Sequence, residues 1–139
     1  MRTDIAQTIR LSDYRAPDYL IDAVHLDVRL HETATRVFAR LAMRPNPAGQ
    51  PGAALALDGD ELVARSVTLD GVALDLAKVA TPQKLTIANP PAGPFTLEIE
   101  TEINPAANTK LMGLFHSGAT FCTQCEAEGF RRITYFLDR

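Results

Sequence analysis

Hydrophobic and polar positions alternate with a period of two along most of this chain. That is the spacing of strands whose two faces meet different surroundings. The clearest stretch runs from Phe95 to Ile103: Phe95, Leu97, Ile99, Thr101 and Ile103 share one face, and Glu98, Glu100 and Glu102 share the other. The three acids at period two read as a solvated face. From Val24, the apolar set Val24, Leu26, Val28 and Leu30 alternates with His25, Asp27, Arg29 and His31, predicting a half-exposed strand. A turn at Thr33-Ala34 then leads into a hairpin partner carrying Thr35, Val37, Ala39, Leu41 and Met43 on one face, with Arg36 and Arg40 on the other.

Turn chemistry divides the rest into short pieces. Pro45 to Gly52 holds three prolines and two glycines and reads as a surface loop. A strand is expected over Ala53 to Leu57, followed by an Asp58-Gly59 turn. Strands over Leu62 to Leu69 and Val72 to Leu76 flank Asp70-Gly71, a two-residue hairpin signal. Leu85 to Ala88 is a further short strand, and Asn89 to Pro94 breaks the chain again. Asn104 to Lys110 is a loop. Leu111 to Phe115 and Ala119 to Cys125 flank a Ser117-Gly118 hairpin turn. Phe130 to Leu137 fits either a strand or a short helical turn. Met1 to Arg10 fits either a loose helical turn or a disordered segment, and Leu11 to Pro17 reads as an extended lead-in because Pro17 disfavours the helical region for Ala16. No segment sustains a helical period. The expected fold is all-β: a β-sandwich or saddle-shaped sheet of hairpins.

A chain of 139 residues suggests one domain, 1–139, able to bury roughly two-thirds of its unfolded surface without staples. A net charge of −3 with no basic block argues against nucleic acid as a partner. No apolar run is long enough to span a membrane, and the first residues lack the apolar stretch of a signal peptide, so a cytoplasmic setting is the default expectation. Two cysteines make no disulfide framework.

The segment from Thr120 to Arg139 departs from plain hairpin chemistry. It holds both cysteines and the Arg131-Arg132 pair. If its first half is a strand, Cys122, Gln124 and Glu126 face one way and Phe121, Thr123 and Cys125 the other. An amide beside a carboxylate at a strand end suits a cationic amine, which offers three donors to strong acceptors. The plain alternative is a solvated strand end. Cys122 and Cys125 have the C-x-x-C spacing of a redox pair or half a zinc site, but on a strand the two thiols point apart, and reduced, partly buried thiols are the expectation. Arg131 and Arg132 are expected to hold the Glu126-Ala127-Glu128 turn against the sheet through carboxylate pairs.

Thr123-Gln124-Cys125-Glu126, followed by Arg131-Arg132 and the run Ile133-Thr134-Tyr135-Phe136-Leu137-Asp138-Arg139, closely resembles a segment in the N-terminal β domain of the bacterial aminopeptidase N family of zinc metallopeptidases. Tyr14 to Tyr19, Asn104 to Thr109 and Gly113 to Gly118 look similar in the same order. The resemblance implies that Gln124 and Glu126 bind the free amino group of a peptide substrate. It also implies that the chain is a β domain, incomplete at its C-terminal end, whose downstream catalytic domain supplies zinc and a metal-bound water attacking the first peptide bond. The metal motif of that family, H-E-x-x-H, is absent: His31-Glu32-Thr33-Ala34-Thr35 ends on threonine. The Gly-Ala/Gly-Met-Glu-Asn segment is also missing. His25, His31 and His116 read as surface residues. The chain alone is therefore expected to hold no cofactor, to be inactive, and to self-associate through an exposed sheet edge. Two other readings stay open on the residues alone: a non-enzymatic β-sandwich binding module, and a small C-x-x-C redox protein.

Overall fold

The computed structural model describes residues 8–138; the expectation for Met1 to Arg10 therefore falls largely outside the described residues. Eleven-residue strands β1 (Tyr19–Arg29) and β2 (Thr35–Pro45) form an antiparallel hairpin. Next come β3 (Leu55–Asp58), β4 (Val63–Leu69), β5 (Val72–Ala73), a single-turn helix α1 (Leu76–Val79), β6 (Ala80–Thr81), β7 (Lys84–Ile87), β8 (Phe95–Ile103), β9 (Gly113–Ser117) and β10 (Thr120–Gln124). They build a five-stranded sheet in the order β1-β2-β8-β4-β5, a three-stranded sheet β3-β7-β6 and the hairpin β9-β10. The all-β expectation holds, and β8 spans the residues its alternation predicted.

The core lies between the two larger sheets. Val37, Leu41 and Met43 of β2, Phe95, Leu97 and Ile99 of β8, and Val67 of β4 join Leu55 and Leu57 of β3 and Leu85 and Ile87 of β7 in one buried cluster. Burying such side chains stabilises the fold by roughly 1.5–3 kcal/mol each. On the other face of the large sheet the alternate residues form an ion-pair ladder. Arg36 pairs with Glu100 and Glu102, Arg40 with Glu98 at 2.8 Å, and Arg65 with Glu102 at 2.8 Å. The three acids of β8 thus sit on the outer face as expected, but each is half-buried and paired across the ladder.

Three local expectations are corrected, and one apolar face stays uncovered. Val24 and Val28 lie opposite Leu41 and Val37 and so share the core-facing side, yet they remain 44% and 42% exposed. Among the described residues β1 is an edge strand, paired with β2 alone. The second strand of the Asp70-Gly71 hairpin stops at Ala73, because Asp75 accepts the Ala77 N–H at 3.1 Å and caps α1. The lead-in contains a 3-10 turn at Leu11–Asp13 before it becomes extended. The Asp70-Gly71 turn itself has φ +48° and +80°, the double positive φ of a type I′ turn. In the β9-β10 hairpin the turn residues are Gly118-Ala119, one position later than expected, since Ser117 pairs with Thr120.

Candidate functional site: the end of the β9-β10 hairpin

The hairpin β9-β10 is short, and its far end is fixed by contacts beyond its own ladder. Leu114 of β9 is buried in the main core. Phe121 packs against the core edge and meets the His116 ring edge-on at 4.8 Å. His116 is therefore not a plain surface residue: its side chain is only 14% exposed and lies 3.8 Å from Glu32. His31 is exposed, and its Nδ1 accepts the Ala34 and Thr33 N–H groups, which closes the β1-β2 turn.

β10 ends at Gln124, whose cross-strand partner is Gly113. The strand alternation stops there, so Gln124 and Glu126 do not stand side by side as residues i and i+2 of one strand. They are joined differently: Gln124 Oε1 accepts the Glu126 N–H at 3.0 Å. This local bond turns the chain out of the ladder, as side-chain-to-backbone bonds two residues apart do in turns. The Glu126-Ala127 peptide is cis and Glu128 has φ +65°. Both Gln124 and Glu126 are exposed, so their acceptors face solvent. The amide oxygen of Gln124 keeps a second lone pair, and the Glu126 carboxylate keeps both oxygens for a donor.

Behind this exposed end lies a 3-10 turn, Phe130–Arg132, and an almost fully buried strip, Arg132 to Tyr135. Phe130 to Leu137 is thus a helical turn followed by one isolated bridge, Asp58 to Phe136. Tyr135 is completely buried and its hydroxyl donates to Thr81 O at 2.6 Å; burial pushes its pKa up. Thr101 Oγ1, buried near the end of β8, donates to Ile133 O at 3.0 Å. The site is therefore pinned to the core through one hydroxyl on each side of this strip. Gly129 has its own reason. A Cβ there would lie 2.5 Å from Gln124 O and 2.6 Å from Cys125 Cα, so the turn packs backbone on backbone against the end of β10.

The two arginines divide. Arg131 behaves partly as expected: it reaches Glu128 at 3.6 Å, but its stronger bonds run to Asp138, from Nε to Oδ2 at 3.0 Å and from Nη2 to the backbone oxygen at 2.7 Å. The Arg132 side chain does not pair with Glu126 or Glu128 as expected. It is buried, and its guanidinium donates to Asp60 at 2.6 Å, Glu61 at 2.7 Å and Met112 O at 3.1 Å. Burial pushes the Asp60 carboxyl up, but hydrogen bonding and charge from Arg132, with Lys110 nearby, outweigh it and hold its pKa low; Glu61 is held low first by its bond to Arg132. Sequence reasoning missed this cluster because its members lie 71 and 72 positions apart, and no local spacing joins them.

Cys122 and Cys125 are both free and partly buried. Burial, then the charge of Asp138, pushes the Cys125 thiol up, which disfavours the thiolate. Among the described residues, no three His, Cys, Asp or Glu side chains gather as ligands of one ion. With His31 committed to its turn and His116 packed edge-on against Phe121, the residues present do not fit a zinc site.

This hairpin end, with its short Thr-Gln-Cys-Glu run, can be compared with known proteins. No family model matches the chain. Aminopeptidase N of Caulobacter vibrioides is 46% identical to it over 140 residues, covering all of this chain and 16% of the relative. Along its whole length this chain matches one part of that longer aminopeptidase N. Aminopeptidase N of Escherichia coli is 47% identical over 91% of the chain and 14% of its own length. Among solved structures, aminopeptidase A of Legionella pneumophila, in complex with aspartic acid, superposes with a TM-score of 0.82 at 31% identity, over 94% of this chain and 16% of that one. An M1 zinc metallopeptidase of Deinococcus radiodurans shares the fold at a TM-score of 0.69 and 16% identity. The chain thus spans about one-sixth or less of the length of its aminopeptidase N relatives. No helix among the described residues is long and apolar enough to cross a membrane.

Proposed function

We propose that this chain is the N-terminal β domain of a cytoplasmic zinc aminopeptidase, and that it recognises the free α-amino group of a peptide substrate. The observation that carries the reading is the Gln124–Glu126 unit. An amide oxygen and a carboxylate are locked together at an exposed strand end, in a chain that matches aminopeptidase N along its whole length. An ammonium group offers three donors, and a carboxylate with a neighbouring amide oxygen supplies complementary acceptors. The amino acid in the solved Legionella relative supports the same ligand class.

The contribution of this chain is positioning. Holding the ammonium fixes which peptide bond lies at the reacting centre, and so restricts cleavage to the first residue. The residues here do not suit zinc, so the metal and its ligands belong to the downstream catalytic domain, which is also the partner of this domain. By itself the chain is inactive and self-associates through the free edge of β1.

The reading is tested by Glu126→Ala in the whole enzyme. KM for a dipeptide should rise and kcat/KM should fall about tenfold or more, the loss of one charge-assisted bond, with zinc content unchanged. Unaltered kinetics would reject it.

A further inference from the structure

We propose that Arg132 is a positioning residue for amine recognition: it sets the place of Gln124, and through it Glu126, without touching substrate. The proposal rests on the amine-binding reading above and adds the device that holds that site in register.

Arg132 is 8% exposed, and all three guanidinium nitrogens are used. Two reach Asp60 and Glu61 in the connection between β3 and β4; Nε reaches Met112 O, the residue before β9. Met112 O also accepts from Asn108 Nδ2 at 2.7 Å, so two donors fix this one carbonyl. The next residue, Gly113, is the ladder partner of Gln124. Gly113 has φ +75°, and a Cβ there would lie 2.7 Å from Arg132 Cβ and 3.2 Å from Gly129 O. The start of β9 therefore rests directly on the stem of Arg132.

The same residue also holds Gln124 from the opposite side. The backbone N–H of Arg132 donates to Gly129 O at 3.1 Å, and the backbone N–H of Gly129 donates to Cys125 O at 2.9 Å; the side chain of Arg132 fixes where this backbone lies. Gly129 is also the residue packed against Gln124 O. Gln124 is thus clasped between Gly113 and Gly129, and both rest on Arg132. A planar fork suits this task, because it reaches two carboxylates and a carbonyl in fixed directions; lysine supplies a single flexible point charge.

The test uses the whole zinc-loaded enzyme and a matched pair of competitive inhibitors, an amino-acid hydroxamate and its des-amino counterpart. The pair differs only in the amine, so the ratio of their inhibition constants reads amine recognition alone. Glu126→Gln is the control for the amine site. Arg132→Met should lower the ratio about tenfold, the size of one charge-assisted bond, while binding of the des-amino inhibitor holds. Arg132→Lys should recover part of the loss. Amide exchange in the peptide covering 120–126 should rise in both variants. If Arg132→Met does not fold, Arg132→Lys and Asp60→Asn carry the same expectation in milder form. A reduced ratio in Glu126→Gln with an unchanged ratio in every clasp variant overturns the proposal and leaves the amine site standing. Equal weakening of both inhibitors also overturns it, since that marks a structural role only. An unchanged ratio in Glu126→Gln removes the amine site, and this proposal with it.

Discussion

Gln124 accepts the backbone N–H of Glu126 through its side-chain oxygen at 3.0 Å, so the two residues proposed to bind the amine are one unit. Residues within one hydrogen-bond network are energetically coupled. In the whole enzyme, Gln124→Ala and Glu126→Ala should each weaken an amine-bearing inhibitor, and the double variant should lose less than the sum. A double-mutant cycle on inhibition constants checks this; strict additivity would show two independent contacts.

Gly113 sits at φ +75° against Arg132. Alanine there meets both the strained backbone region and a Cβ–Cβ approach of 2.7 Å. Gly113→Ala should destabilise the domain by more than ~1 kcal/mol, read as a lower denaturation midpoint. Gly52, also at positive φ but with open space around it, should respond more weakly to the same change.

Tyr135 is fully buried with its hydroxyl on Thr81 O. Tyr135→Phe keeps the packing and removes that bond, so it should cost about 0.5–1.5 kcal/mol. Thr101→Val should cost a similar amount through the loss of its bond to Ile133 O. Chemical denaturation of both variants measures this directly.

Asp60 and Glu61 have pKa values held below their ordinary ones in the folded state. A carboxylate depressed on folding contributes stability above its unfolded pKa, near 4, and the contribution is lost as pH falls through the lower folded value. Acid should therefore loosen the Arg132 clasp below about pH 4. Asp60→Asn should flatten the stability profile there, and near-neutral pH should show no comparable slope from this pair. Glu61 is largely exposed, so Asp60 should dominate.

Val24 and Val28 lie on the core-facing side of β1 but are left uncovered. The outer edge of β1 has no strand partner among the described residues. The isolated chain should therefore self-associate, and Val28→Lys should reduce association. Sedimentation of the chain and the variant decides this; a strict monomer at high concentration would contradict it.

Much of the fold was legible because period-two patterning reports local surroundings directly. Leu97 and Ile99 alternate with Glu98 and Glu100, and the structure buries the first pair while pairing the second with arginines. Patterning reports which face is apolar, not whether another layer covers it, so it does not tell that Val24 and Val28 stay exposed. α1 was hidden because four residues are too few to show a helical period. At the candidate site, residue type and the family resemblance single out Gln124 and Glu126 as the residues proposed to bind the amine. The way they are joined was not, because strand alternation was carried two residues past the end of β10. The Arg132 clasp was illegible for a different reason: tertiary folding alone brings Asp60, Glu61 and Met112 together around it.

The central claim is that Gln124 and Glu126 hold the substrate's α-ammonium group. The most direct measurement is a crystal structure of the whole enzyme with a free amino acid bound. The account predicts the ammonium nitrogen within hydrogen-bond distance of the Glu126 carboxylate and Gln124 Oε1. An amino acid bound with its ammonium on other side chains, and with solvent at Glu126, would contradict it.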